Sequence, residues 1–395
     1  MKVLGGSHAI GTLRTRARIA AHVVWDVLVD PPARASEEVP WRAEAITPEW
    51  ITRVMASAVP GARALAVEAS GGHDGSSVRR QVRVSWNDAG AAAGLATHLF
   101  AKTTPTLLTR LSSGMAAAGE GRFFRELRAE LPIEAPRLVH SAYDRESARS
   151  IHLFEDLTHT HGARFCSHRT SIDRVQAEQI VDTLAALHGT HWASPRFGTD
   201  LRWVTTYEAF FRTGEKNGIR AGHDRAMIEA ADSISPRLLA RKGEIWPALQ
   251  RSLARHEAEP RTLLHSDVHL GNWYETRDAR MGLCDWALVC KGHWSRDLAY
   301  ALMTVLATPD RRAWERDLIA RYLDRMRERC GLALGFDAAW DRYREQSFAA
   351  LAMWTPTLCH PPTMPDMQPP EMSREMIARI CAAIADLDAL DVASA

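Results

Sequence analysis

Residues Leu263 to Leu302 read LLHSDVHLGNWYETRDARMGLCDWALVCKGHWSRDLAYAL. Asp267 is followed five residues later by Asn272, and a second carboxylate, Asp285, closes the apolar run Met281-Gly282-Leu283-Cys284. That order suits phosphoryl transfer, in which little covalent help is needed and catalysis is mostly positioning and charge neutralisation. One carboxylate orients the attacking hydroxyl and accepts its proton, while an amide oxygen and a second carboxylate hold Mg²⁺. Asp267, Asn272 and Asp285 fit those three roles in turn.

A competing reading starts from the same residues. His265, Asp267 and His269 alternate, and alternate positions of a strand share a face, so the three side chains could form a metal-dependent hydrolase cluster. That reading leaves Asp285-Trp286 without a role, and the sequence offers no further cluster of that kind. Phosphoryl transfer asks for the later Asp and for a Lys upstream, and both exist.

Outside this stretch, the length of 395 residues exceeds the ~250–300 at which single cores stop growing, so two lobes are expected. With 46% hydrophobic and 25% charged residues the composition is that of an ordinary globular protein. A net charge of +1 gives no electrostatic reason to expect nucleic acid or an anionic membrane as partner. Only five of the 49 basic residues are Lys (2, 102, 216, 242 and 291), so a Lys in a particular context is more informative than usual. The six Cys form no Cys-x-x-Cys pair and a chain of this size needs no disulfide framework, which points to a reduced cytoplasm. Arg14, Arg16 and Arg18 precede an apolar run from Ile19 to Val29 that is interrupted by His22 and Asp26. It is too short to span a bilayer and is expected to be an amphipathic helix lying on the body.

Residues 30–44 carry three prolines and mixed charge and have the character of a linker. A helix follows, with Thr47 as N-cap, Pro48 at its first position and Trp50, Ile51, Val54, Met55 and Ala58 on its apolar face. Strands are expected at 64–69 and 78–86, the second alternating Val82, Val84 and Trp86. Between them the loop Ser70 to Ser77 contains Gly72, Gly75 and Ser76, where missing or small side chains allow backbone amides to approach a phosphate. A third strand, 95–102, ends in Lys102, the position from which kinases grip the α- and β-phosphates. Such a Lys needs a carboxylate on the next helix, expected at about 116–131. Helical spacing aligns Glu120 with Phe124, Leu127 and Leu131, whereas Glu126 projects elsewhere. Two further strands, 137–140 and 150–157, end in Phe154-Glu155-Asp156-Leu157, a hinge where Glu155 and Leu157 would border an adenine ring. Beyond it the pattern turns helical: one apolar face runs through Val175, Ile180, Val181, Leu184, Leu187 and His188, another through Trp314, Leu318, Ile319, Tyr322, Leu323 and Met326, and a last one follows a Pro-rich loop.

Four separated elements now stand in order: His265-Ser266-Asp267, His269-Leu270-Gly271-Asn272, Asp285-Trp286 and Asp297-Leu298-Ala299. They resemble the core motifs of the aminoglycoside phosphotransferase and choline kinase family of small-molecule kinases. Glu120-x-x-Phe-Phe124, Phe154-Glu-Asp-Leu157 and Trp192 are similar to its ecdysteroid-kinase-like branch. The resemblance covers roughly residues 47–323. It implies an α+β, protein-kinase-like fold: a small N-lobe with an antiparallel sheet and a larger, mainly helical C-lobe. The expected boundaries are an N-terminal extension (1–44), a nucleotide-binding lobe (45–157) and a catalytic, substrate-binding lobe (158–395). It further implies ATP and Mg²⁺ as cofactors, Asp267 as catalytic base, Asn272 and Asp285 as metal ligands, and Lys102 paired with Glu120 at the phosphates. His265 and Asp297 are expected to support the loop, Asp297 by capping the helix that begins there. The family's usual Gly is Ser266 here, which suggests a position without a positive φ. Neither this nor the irregular Gly-rich loop removes a group needed for chemistry, as a nucleotide-binding pseudokinase would require. The acceptor is expected to be a small hydroxylated molecule. Trp203, Tyr207, Phe210, Phe211, Trp294 and Trp354 point to an apolar one if they line its site, and otherwise to core.

Overall fold

Alternating apolar residues, a Gly-Gly pair and a run of caps divide the chain much as their chemistry dictates. The structure, a computed structural model, describes residues 4–56, 59–362 and 364–392. It divides into two compact units. One holds the described residues up to Arg125 together with Pro136–Gly162; the other holds Glu126–Ala135 and the described residues from Ala163 onward.

In the first unit, α1 (Leu4–Val29) and α2 (Pro48–Ala56) precede β1 (Ala64–Asp74), β2 (Val78–Trp86), the short α3 (Asp88–Ala92), β3 (His98–Thr103), α4 (Leu107–Glu126), β4 (Leu138–Tyr143), β5 (Ser150–Glu155) and α5 (Leu157–Thr160). The strands form one antiparallel sheet in the order β1-β2-β3-β5-β4. Period-2 alternation sends Val82, Val84, Leu99, Ala101, Ile151 and Leu153 to one face, where they pack on Trp50 and Ile51 of α2. Thr47 caps α2 through its hydroxyl, 3.1 Å from the Trp50 amide; Ala58 lies outside the described residues.

Three expectations for this unit change. Residues 30–44 are no linker: Ala33, Val39 and Ala43 join the same core, as does Ile46 just beyond them, and the intervening turn satisfies its own amides on the Glu38 carboxylate. In α1, Asp26 does not interrupt a buried apolar face. It is itself the fully buried anchor, ion-paired to Arg110 and Arg149, while Val24, Trp25, Val27 and Leu28 are exposed. Helix α4 begins at Leu107, nine residues earlier than expected. Thr106 and Thr109 exchange reciprocal bonds at its start, and Leu127 and Leu131 flank a separate short turn beyond its end.

The second unit contains β6 (Arg164–Phe165), α6 (Arg174–Thr190), α7 (Tyr207–Lys216), α8 (Ile219–Glu229), α9 (Pro236–Ala240), α10 (Lys242–Ala258), β7 (Thr262–Leu264), β8 (Trp273–Glu275), β9 (Met281–Leu283) and β10 (Cys290–Gly292). It continues with α11 (Ser295–Val305), α12 (Thr308–Cys330), α13 (Phe336–Glu345), α14 (Ser347–Leu358), α15 (Pro370–Asp386) and α16 (Ala389–Val392). Two small sheets, β7-β10 and β6-β8-β9, are embedded among the helices. Helix α6 opens with a full capping box from Asp173 to Gln176 and buries Ile180, Val181, Leu184 and Leu187; Val175, expected on that face, is exposed. Every residue of α11 is buried. Gly282 lets β9 close on β8, since a Cβ there would lie 2.3 Å from the Tyr274 ring. The fold is thus α+β, with an antiparallel-sheet unit and a mainly helical one. Among the described residues no helix is long and apolar enough to cross a membrane.

Candidate active site

The second unit brings Asp267 and Asn272 into direct contact. The Asn272 amide nitrogen donates to the Asp267 carbonyl at 2.7 Å and to its carboxylate at 3.1 Å, so the amide oxygen is turned away from the loop. The other Asp267 oxygen accepts from the Tyr300 hydroxyl at 3.2 Å. Asp267 keeps 22% of its side chain exposed, whereas His269, whose Nε2 lies 3.7 Å from that carboxylate, is nearly covered. Burial, and then the negative charge of Asp267, push the Tyr300 phenol well above its ordinary range, so Tyr300 stays a neutral donor.

The loop carrying Asp267 is gripped from beneath. Asp297 accepts from the amides of His265 (2.8 Å) and Ser266 (3.1 Å), and its other neighbour is His188 Nε2 at 3.5 Å. Nδ1 of His188 is bonded in turn to Tyr322 at 2.8 Å. Burial raises the Asp297 carboxyl, but the bonds and charges of His188, Arg296 and His265 outweigh it and hold the group below its usual value. Asp297 therefore does not cap its own helix, as expected above; it lies inside α11 and points back at the loop, because the helix start is already sealed in the core. Arg296 donates to the Ser266 carbonyl at 3.1 Å and stands over the Tyr300 ring at 4.4 Å.

This grip explains Ser266, which departs from expectation. Its φ is +68°, the left-handed conformation that Gly adopts without strain. The residue is fully buried, its amide is fixed by Asp297, its carbonyl by Arg296, and its hydroxyl meets Cys290 Sγ at 2.8 Å. The surroundings hold a conformation that costs of order 1 kcal/mol or more for a non-Gly residue.

His265 cannot serve a hydrolytic metal. Nδ1 accepts from the Asp267 amide at 3.1 Å, so Nε2 carries the proton and donates to the Cys284 carbonyl at 3.0 Å. Burial favours that neutral form by lowering the imidazole pKa. His269 Nδ1 is likewise occupied by the Gly271 amide at 3.1 Å. Among the described residues no three His, Cys, Asp or Glu side chains converge on a metal position.

Asp285 follows the β8–β9 hairpin. Trp273 pairs with Leu283, and the Cys284 amide donates to the Asn272 carbonyl at 2.9 Å, so Asn272 and Asp285 flank the same hairpin end. Asp285 has φ +61°, and Trp286 behind it is fully buried against the His265 ring at 4.5 Å. An amide oxygen and a carboxylate are the hard donors that Mg²⁺ takes when phosphates and waters complete its shell, so this pair fits that ion.

In the first unit, Lys102 Nζ lies 2.8 Å from Glu120, with side chains 9% and 2% exposed. Gly121 makes the approach possible, since a Cβ there would stand 2.3 Å from Ser141 Oγ and block α4 from the sheet. His152, across from Lys102 in the sheet register, is pushed down to about 3 by burial and then by the Lys102 charge, so it stays neutral beside the pair. Glu126 is exposed. The supposed loop 70–77 is mostly strand. β1 runs to Asp74, and Gly71 and Gly72 form an irregularity where a Cβ on Gly72 would fall 1.8 Å from the Arg79 carbonyl. Gly75, Ser76 and Ser77 make the turn, in which the Gly75 amide bonds the Ser77 carbonyl at 3.1 Å. The Ser77 hydroxyl is buried without a partner. In the segment expected to be the hinge, the amides of Glu155 and Asp156 donate to the carbonyls of Arg137 and His98, both at 3.1 Å, and Leu157 is the buried first residue of α5.

Tyr300, His188, Tyr322, Arg296 and Ser77 were not among the expected site residues. Tyr300 was within reach, since it lies three residues after Asp297 and shares its helix face; His188 and Tyr322 come from distant elements and carried no local signal. Of the six aromatics considered for the acceptor, Tyr207, Phe211, Trp294 and Trp354 are core, which leaves an apolar acceptor without that support.

Residues 99–345 match the model of the phosphotransferase enzyme family. No curated protein matches the chain. Among solved structures, a choline kinase from Cryptosporidium parvum Iowa II is similar with a TM-score of 0.53 at 10% identity, covering 87% of this chain and 97% of that one. This likeness carries the protein-kinase-like fold. A choline kinase from Streptococcus pneumoniae (TM-score 0.46, 12% identity, 85% and 98% covered) and a GDP complex of aminoglycoside 2'-phosphotransferase-IIIa (0.49, 12%, 78% and 90%) are further structural neighbours. With more than half of its length matched, the chain belongs to the phosphotransferase enzyme family and, with it, to the small-molecule kinases.

Proposed function

We propose that the protein transfers the γ-phosphoryl group of ATP to a hydroxyl of a small metabolite or antibiotic. The observation that supports this most is the setting of Asp267: a partly exposed carboxylate fixed by Tyr300 and Asn272 on a loop that Asp297 holds. Asp267 orients the acceptor hydroxyl and takes its proton as the new P–O bond forms and the bond to the departing nucleoside diphosphate breaks. Tyr300 keeps the carboxylate turned and lowers the reorientation needed. Asn272 and Asp285 would hold Mg²⁺, which when bound neutralises charge on the phosphates. In the first unit, which we assign to the nucleotide, Lys102 held by Glu120 grips the α- and β-phosphates. The turn that follows Gly72, with Gly75, Ser76 and the orphan Ser77 hydroxyl, meets the phosphates, and Glu155 to Leu157 borders the base.

A panel of hydroxylated metabolites and antibiotics, incubated with MgATP and read by product mass, tests the reading and finds the acceptor. Asp267→Asn is expected to lower turnover by on the order of 10³ while MgATP still raises the melting temperature. Unchanged transfer in both Lys102→Ala and Asp285→Ala would sink the assignment.

A further inference from the structure

Helix α1 turns its apolar side outward. Ile19 and Asp26 face the body, Asp26 tied to Arg110 of α4 and to Arg149, and on the opposite side Leu13, Val24, Trp25, Val27 and Leu28 are exposed, Leu28 to 79%. Among the described residues, fourteen large apolar side chains are exposed; six sit on α1 (the five above and Val29) and four on α4 (Leu107, Leu108, Leu111 and Met115). Scattered exposed apolar residues are ordinary, but this concentration on two helices joined by an ion pair is a surface built to be covered. At these exposures the ten side chains present on the order of 1,000 Å² of apolar area, against the ~800 Å² each partner gives to a standard interface.

The spacing says what covers it. Leu13, Ala17, Ala20, Val24 and Val27 recur at intervals of four and three, the seam of a helix that packs along another helix. Small residues, Ala17 and Ala20, stand at the middle of that seam with Ala21 beside them, where they permit close backbone approach; they would add little to insertion into lipid. Charge selects the orientation. No acidic residue occurs before Asp26, and Arg14, Arg16 and Arg18 all lie on the N-terminal side of Ala20, so a parallel pair would set like charges side by side. An antiparallel pair separates them. Arg18 is already engaged by Glu146 at 2.8 Å, which leaves too few free cations on the described helix for an anionic bilayer to be the favoured occupant.

We infer that this face joins two copies of the chain, with α1 packed antiparallel on α1 of the second copy about a two-fold axis near Ala20 and Ala21. Leu13 then meets Leu28 of the second copy, and the α4 apolar side chains flank the pair. Sedimentation of the full chain at micromolar concentration is expected to give the mass of two chains. Val24→Glu/Leu28→Glu, at exposed positions that the fold does not need, weakens the dimer at least about tenfold, while Ile228→Glu on α8 does not. Oxidation links Ala21→Cys to itself beyond the background of the native thiols. Leu13→Cys, about 11 Å along the helix from the axis, links to Leu28→Cys and not to itself. A single-chain mass at every concentration overturns the inference. So does a dimer indifferent to the double Glu variant, a Leu13→Cys self-link, or a monomer that co-sediments with phosphatidylserine vesicles.

Discussion

The two units hold their candidate residues in different ways. Lys102 in the first unit meets the buried carboxylate of Glu120, brought in by a helix whose Gly121 touches the sheet. Asp267 in the second unit rests on layers: Tyr300 and Asn272 on the carboxylate, Asp297 and Arg296 on the loop, His188 and Tyr322 behind Asp297. A buried ion pair is weakened at once when either partner is lost, whereas a layered network distributes its loss among several groups. Position also differs. The pair is sealed, and the base keeps part of its surface open, as a group that must meet an acceptor requires.

The largest effect of a single substitution on stability should come from the residue that links the loop to the groups behind it. Asp297→Ala leaves two loop amides and His188 without their acceptor in the core and is expected to cost about 4 kcal/mol, measured by urea unfolding, with transfer falling at least as far as in Asp267→Asn. Should Asp297→Ala unfold no more easily than the wild type, the layered description of the Asp267 loop is wrong. Glu120→Gln tests the first unit. It removes the carboxylate charge 2.8 Å from the buried Lys102 ammonium and should cost about 3 kcal/mol, with loss of the thermal shift given by MgATP; Glu126→Gln, at an exposed site, should change neither. Equal effects of the two Glu variants would remove the distinction drawn for the pair.

Acid should act on both units together. His152 and His256 are pushed down to about 3 and His223 to about 4, in each case first by burial, from an ordinary value of 6.5. Between those values the unfolded chain binds more protons than the folded one. Stability is therefore intact above pH 6.5 and falls as pH drops toward 4, by up to ~1.4 kcal/mol per pH unit for each of the three imidazoles. Urea midpoints at pH 7 and pH 5 measure it, and a flat profile would contradict the burial of these rings. The smallest effect is expected at Ser266→Gly, where relief of the left-handed conformation outweighs the lost contact with Cys290. A gain within about 1 kcal/mol is expected, seen as a slightly higher urea midpoint.

What the sequence revealed follows the range of the forces involved. Asp267 and Asn272, five residues apart, and Glu120 with Phe124 on one helical face are set by local geometry, and their spacing carried them. Val82, Val84 and Trp86 gave the sheet for the same reason. The segment 30–44 was misread because Pro and mixed charge mark turns equally well on a surface and over a core; only the distant Trp50 tells them apart. Ser266 was misread because its conformation is imposed by Asp297 and Arg296, some thirty residues away. The Gly71-Gly72 pair looked like a loop, since the same residues that allow a phosphate to approach allow a neighbouring strand to do so.

The scarcity of lysine has a practical consequence. Lys216 and Lys242 are exposed, Lys291 and Lys102 are buried, and the chain has only one more, Lys2. An amine-directed acylating reagent thus meets few competing targets, and the adduct on Lys102, resolved by peptide mass, becomes a clock for how often the helix carrying Glu120 lifts from its sheet.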